Sequence, residues 1–257
     1  MDARTLAAAH WNWCQANAAF MGTSAPGEAL ECRHVSISSC GFPDARFNIA
    51  ALRVPVEDLA AALARALDYF AERALPFRVA VPSDEVACAA DLAARGFRET
   101  ERVPAMLLAT LREAPAAPPG LEVAAVRRSD DLEAFRATAF EGFGLPTRIA
   151  PLFLSDALAA RPDVELYVGR LRGEPVCTSA LVATGPVAGI YWVATREGFR
   201  GRGFGEAATW AAVAGGLARG CRFASLQASA LGRPVYERMG FATPCHYVHY
   251  EPPRPDA

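Results

Sequence analysis

The strongest chemical signal in the chain is the run Arg200-Gly201-Arg202-Gly203-Phe204-Gly205. Three alternating glycines allow positive φ and close backbone approach, and the run follows a predicted strand and opens a predicted helix. A helix start presents free N–H groups worth roughly half a positive charge, and Arg200 and Arg202 add full charges beside it. The combination suits a phosphate or diphosphate. A Walker-type triphosphate loop requires Gly-Lys-Ser/Thr, and the chain contains no lysine. Gly203 to Ala208 does fit the dinucleotide pattern G-x-G-x-x-A. Its context differs, because the preceding strand ends near Thr195, too far upstream for the tight dinucleotide turn, and the next strand offers no acid to a ribose.

Other chemistries are set aside by composition. Without lysine the chain has no Schiff-base nucleophile of its own. Seven scattered cysteines form no CxxC pair, and their odd number fits reduced thiols rather than a disulfide framework. His246 and His249 lack a cysteine or carboxylate at ligand spacing, so no metal site is expected. A net charge of -2 supplies no basic face for nucleic acid. Acidic and basic residues interrupt every apolar run before membrane-spanning length, and no basic leader opens the chain, which places it in the cytoplasm with no membrane partner.

The elements that must position the loop lie in the second half. Leu111 to Gly120 (LREAPAAPPG) reads as a linker, separating a first domain at 1–110 from a second at 121–257. After it the pattern predicts a strand Leu121 to Val126, helices Ser129 to Phe140 and Ile149 to Ala160, and strands Glu165 to Arg170, Val176 to Ala183 and Val187 to Thr195. A helix Gly205 to Arg219, a strand Phe223 to Ala228, a short helix Pro234 to Met239 and a strand Tyr247 to Glu251 follow. The first half predicts a similar order: strand Phe47 to Val54, helix Val56 to Arg73, strand Phe77 to Val81, helix Asp84 to Arg95, and a strand to Leu108. A Gly-Phe pair ends the short helix in both, at Gly96-Phe97 and Gly240-Phe241, with nearly equal spacing from the preceding strands. The order indicates an α/β fold in two copies.

With these residues in place, the C-terminal half resembles the GNAT acetyltransferase superfamily. Arg200, Gly203 and Gly205 fill the fixed positions of its pyrophosphate signature Q/R-x-x-G-x-G/A, and Tyr236-Glu237-Arg238-Met239-Gly240-Phe241 resembles its second block. Ser229 stands where many members carry asparagine. The resemblance implies a mixed sheet with flanking helices that splays open between the strands Val187 to Thr195 and Phe223 to Ala228. Acetyl-CoA would lie there as cosubstrate, held by Val193, Ala194, Thr195, Arg200, Gly201, Arg202, Gly203, Phe204, Gly205 and Ser229. It further implies direct attack by a primary amine of a small molecule, peptide or protein, with Tyr236 as general acid. Glu141, between Phe140 and Phe143 where the family closes its acceptor pocket, would orient or deprotonate that amine. The alternative is a non-catalytic module that senses acyl-CoA.

By the same comparison the first half is a degenerate copy. It has no glycine between Gly41 and Gly96, Glu57 and Asp58 stand at the helix start, and Leu92 occupies the position of Tyr236. It is expected to bind no acetyl-CoA and to play a structural part, in a monomer or a homodimer.

Overall fold

The computed structural model describes residues 2–23 and 25–253. The first half opens with a helix α1 (Ala3–Gly22), followed by antiparallel strands β1 (Glu28–Glu31), β2 (Val35–Ser39) and β3 (Asn48–Leu52). Helix α2 (Leu59–Glu72) crosses to β4 (Arg78–Pro82), parallel to β3, and α3 (Val86–Ala94) leads to β5 (Arg98–Leu108). In the second half β6 (Leu121–Ala125), β7 (Val164–Leu171), β8 (Glu174–Thr184) and β9 (Val187–Thr195) are antiparallel. Helix α4 (Ser129–Phe143) lies between β6 and β7, and α7 (Phe204–Ala218) crosses from β9 to the parallel β10 (Phe223–Gln227). Helix α8 (Arg233–Met239) then leads to β11 (Ala242–Glu251). Thus β3-α2-β4-α3-β5 and β9-α7-β10-α8-β11 repeat one plan, as the sequence pattern predicts.

The halves are joined by an exchange of their last strands. The single 11-stranded sheet runs β1-β2-β3-β4-β11-β5-β10-β9-β8-β7-β6. Strand β5 of the first half pairs antiparallel with β10 of the second, and β11 of the second pairs with β4 of the first. The two exchanged strands also pair with each other from Ala242 opposite Leu107 to Glu251 opposite Arg98. Neither half closes its sheet without the other's chain.

Helix α1 spans the two halves on one face. Its His10 ring nitrogen Nε2 lies 2.8 Å from the Leu52 carbonyl on β3, while Asn12 Nδ2 donates to Val182 O on β8 at 2.9 Å. Gly189 on β9 has no side chain where Asn12 enters, and a Cβ there would overlap the amide. Trp13, Ala16 and Phe20 carry α1 into a core that also takes Phe135, Phe140 and Phe153 from the second half. The sequence pattern predicts none of α1, β1 or β2. It also predicts one helix from Ile149 to Ala160, whereas the chain forms two short ones, α5 (Ala150–Phe153) and α6 (Asp156–Ala159). The break has a local cause: Ser155 caps α6 by accepting from Leu158 N at 3.0 Å, and Arg136 Nε takes the freed Leu154 carbonyl at 2.7 Å. Among the described residues no helix is long and apolar enough to cross a membrane.

Candidate active site

Strands β9 and β10 stay paired only from Val187 opposite Phe223 to Gly189 opposite Ser225. Beyond Gly189 they part, and a cleft of about 390 Å³ opens between them. Strand β9 bulges as it lines the opening. Its register with β8 slips between Ala180 opposite Tyr191 and Thr178 opposite Ala194, with Trp192 at φ 50 inside the bulge. Thr178 Oγ1 donates to the Trp192 carbonyl at 2.9 Å and fixes that turn. A bulge re-aims the backbone groups of a strand, here beside the cleft.

Across the floor, the chain turns into α7 through two glycines in the left-handed region, Gly201 at φ 75 and Gly203 at φ 78. Gly203 is the N-cap and has no capping side chain. The first intrahelical bond runs from Ala207 N to Gly203 O at 3.0 Å, so the N–H groups of Phe204, Gly205 and Glu206 have no intrahelical acceptor. A Cβ at Gly201 would meet nothing, whereas one at Gly205 would press on Thr195 Oγ1 at 3.1 Å. This open, uncapped helix start fits a diphosphate.

The far wall is α8 and the turn before it. Ser229 Oγ accepts from Gly232 N at 3.1 Å. The helix ends through Gly240 at φ 97, with Gly240 N donating to Glu237 O and Phe241 N to Tyr236 O. That stop is what the Gly-Phe pair encodes, and it pins Tyr236, 7% exposed, with its ring 5.9 Å from that of Phe241. Burial pushes the Tyr236 phenol up to about 12, against a smaller opposing effect of the Thr209 side chain. The group is therefore protonated at neutral pH.

Ten of the residues predicted from sequence line this cleft: Val193, Ala194, Thr195, Arg200, Gly201, Gly203, Phe204, Gly205, Ser229 and Tyr236. Arg200 is also tied locally, donating to Gly142 O at 2.8 Å and Thr195 O at 3.2 Å. Two predicted residues lie outside the lining. The Arg202 guanidinium sits over the Phe204 ring at 4.8 Å and the Phe199 ring at 5.8 Å. Both Glu141 oxygens accept from Arg196 Nε at 2.9 Å, and Arg196 also holds Glu174 at 2.9 Å. Phe143 also lines the cleft, and sequence reasoning missed Gly142, Phe199, Glu206, Leu231, Gly232, Val235 and Arg238, which complete the wall. Gly142 has the clearest signal, since a Cβ there would meet Ala194 Cβ at 2.8 Å, so only glycine lets α4 approach β9 this closely. Tyr191, on the other face, donates to Asn12 Oδ1 at 2.7 Å.

The same opening recurs in the first half without the cradle. Strands β3 and β4 pair from Ile49 opposite Arg78 to Ala51 opposite Ala80 and then part. Asp58 caps α2 there, accepting from Ala61 N at 2.9 Å. Leu92, fully buried, takes the place of Tyr236, and Phe97 N donates to its carbonyl as Phe241 N does to that of Tyr236. Among the described residues no group of three or more His, Cys, Asp or Glu could hold a metal ion.

The splayed strand pair over an uncapped, glycine-rich helix start is the arrangement that the sequence resemblance implies. Residues 132–241 match the model of the Acetyltransferase (GNAT) family, and the chain carries a GNAT acetyltransferase domain there. Among solved structures, a GCN5-related N-acetyltransferase from Kribbella flavida is 20% identical with a TM-score of 0.72, covering 96% of this chain and 95% of that one. One from Sphaerobacter thermophilus is 18% identical with a TM-score of 0.65, covering 84% and 75%. A tandem GNAT protein from the clavulanic acid biosynthesis pathway is 14% identical with a TM-score of 0.62, covering 99% and 97%. At these identities the likeness is one of fold, here in the duplicated arrangement. No curated protein matches the chain.

Proposed function

We propose that the chain transfers an acetyl group from acetyl-CoA to a primary amine of a small molecule, peptide or protein, by direct attack of the amine on the thioester. The observation that carries this reading is that Tyr236, buried and holding its proton, shares one cleft with the glycine cradle at Gly201 to Gly205. In this reading the diphosphate rests on the N–H groups at the start of α7, with Arg200 beside it. The pantetheine arm lies along Val193 to Thr195 as an added strand would. The bulged backbone of β9 turns N–H groups toward the thioester carbonyl and stabilises its developing negative charge.

Tyr236 acts on the leaving sulfur. As the C–N bond forms and the C–S bond breaks, its proton passes to the thiolate, and the phenol is restored by the proton that the attacking amine sheds to solvent. A thiol ordinarily titrates at about 8.5, below a phenol at about 10. The burial that raises Tyr236 also raises the basicity of a thiolate expelled beside it, so the transfer is not opposed by the whole difference. Glu141, held by Arg196, enters as a positioning residue that fixes the end of α4 against the loop after β9.

Tyr236→Phe keeps the ring and removes the proton. With an accepted amine, turnover should fall about 10²-fold or more while acetyl-CoA affinity stays the same. Unchanged turnover with chemistry rate-limiting would remove Tyr236 from the mechanism. Saturable acetyl-CoA binding with no thiol release from any of a broad panel of amines would leave the acyl-CoA sensor instead.

A further inference from the structure

Arg200 is a cation without a carboxylate, placed where the cleft meets the end of α4. Among the described residues it forms no ion pair, and its exposed guanidinium rests on two neutral carbonyls. Nη2 donates to Gly142 O at 2.8 Å and Nε to Thr195 O at 3.2 Å. A guanidinium carries five N–H donors, so both on Nη1 and one on Nη2 are still free. They are free beside the glycine cradle, since Arg200 lines the cleft with Gly201, Gly203 and Gly205. Gly142 lies in the last turn of α4, where carbonyls have no intrahelical partner. The next residue, Phe143, is 48% exposed and lines the same cleft, its ring edge-on to that of Trp192 in the β9 bulge at 5.6 Å. Arg196 also reaches this end of α4, through the Glu141 side chain, but its charge is already met by Glu141 and Glu174.

We propose that Arg200 is a positioning residue that couples the two ends of the cleft: the diphosphate that fixes its side chain also fixes the last turn of α4 and the Phe143 wall. The inference rests on the reading above, in which the diphosphate lies at the start of α7. In the free chain the exposed guanidinium holds Gly142 only part of the time, because ordering an arginine side chain offsets most of what an exposed hydrogen bond returns. A phosphate oxygen on Nη1 forms a charge-assisted bond and leaves Nη2 and Nε on their carbonyls. The ordering cost is then met by the cosubstrate, and the tether to α4 forms without it. Phe143 settles against Trp192, on the strand along which the pantetheine arm lies. The acceptor thus meets a finished wall only in the loaded chain, and by linkage it tightens the cosubstrate by the same factor.

Hydrogen exchange read by mass spectrometry on the full chain, with and without saturating coenzyme A, tests this without an acceptor. The reporters are the amides of residues 140–145, among them Gly144 and Leu145, which close α4 by donating to Glu141 O and Phe140 O. Coenzyme A should slow their exchange about threefold or more. Arg200→Gln should abolish that slowing at concentrations that saturate it by calorimetry. Arg200→Lys, which keeps a cation for the diphosphate but lacks the planar fork, should load more readily and show the same loss. Arg202→Gln removes a cation from the same loop, one that sits over the rings of Phe204 and Phe199, and should keep the slowing. Slowing that persists in both loaded Arg200 variants would mean that coenzyme A shields α4 directly, and would overturn the coupling. An equal loss in Arg202→Gln, or no slowing in the loaded natural chain, would overturn it as well. A natural chain that binds no coenzyme A by calorimetry would overturn it together with the reading beneath it.

Discussion

Lowering the pH from 7.5 to 5 should destabilise the chain through two buried histidines. His10, on the buried side of α1, has the rings of Trp13 and Tyr247 at 5.9 and 5.5 Å. His249, on β11, has its ring edge-on to Trp13 at 6.2 Å, with Glu101 and Arg78 acting on it at range. Burial pushes both down to about 4. In the unfolded chain each titrates near 6.5, so between these values the unfolded state binds more protons and stability falls as pH falls. At pH 5 the loss is about 2 kcal/mol per histidine, or ~4 kcal/mol for the pair. For a chain of this size that lowers the melting temperature by roughly 8–16 °C. Carboxylates held below their usual range, such as Asp44 by its hydrogen bond from Arg46, are still ionised at pH 5 and add little. Scanning calorimetry at the two pH values measures the drop. The same scans on a His10→Gln, His249→Gln double variant, which keeps amide donors but cannot titrate, should show most of it gone. Equal melting temperatures at pH 7.5 and 5 for the natural chain, or an undiminished drop in the variant, would refute the assignment of two buried neutral histidines.

Asn12→Leu should cost about 3 kcal/mol, because the buried amide holds Val182 O, Thr184 Oγ1 and Tyr191 Oη at 2.9, 2.8 and 2.7 Å and its loss strands them. Urea unfolding checks this, and a loss below about 1 kcal/mol would show that water replaces the side chain. Gly216→Ala should also destabilise, since its Cβ would overlap that of Ala188 on β9. Overpacking of about 1–3 kcal/mol outweighs the ~1 kcal/mol an alanine gains over glycine inside a helix. A more stable variant would mean that α7 shifts freely on the sheet.

Much of the second half was legible because its chemistry is local. The positive φ of Gly201, Gly203 and Gly240 is demanded by turns of a few residues, and each turn announces itself in sequence beside the residue it positions. Tyr236 was readable for that reason. What escaped depends on contacts between distant segments. Helix α1 buries His10, Asn12 and Trp13 against both halves at once, so its polar and apolar residues do not segregate into one stripe. The pairing of β5 with β10 and of β11 with β4 is invisible in either strand, whose patterns suit any neighbouring edge. Glu141 lies near the predicted cleft but is drawn to Arg196, a partner 55 positions away that no local pattern supplies. Leu231, 70% exposed, reads as an ordinary loop residue until the fold sets it across from β9.

The central claim is that one cleft, at the start of α7, receives acetyl-CoA. Isothermal titration of the full chain tests it most directly, because the exchanged strands leave neither half a complete sheet to be studied alone. The natural chain should bind one acetyl-CoA, and Gly203→Asp should bind none while melting cooperatively. The new carboxylate would stand at the N-cap of α7, filling the diphosphate position with charge of the wrong sign. Two equivalents bound by the natural chain, or an affinity unchanged in the folded variant, would contradict the account.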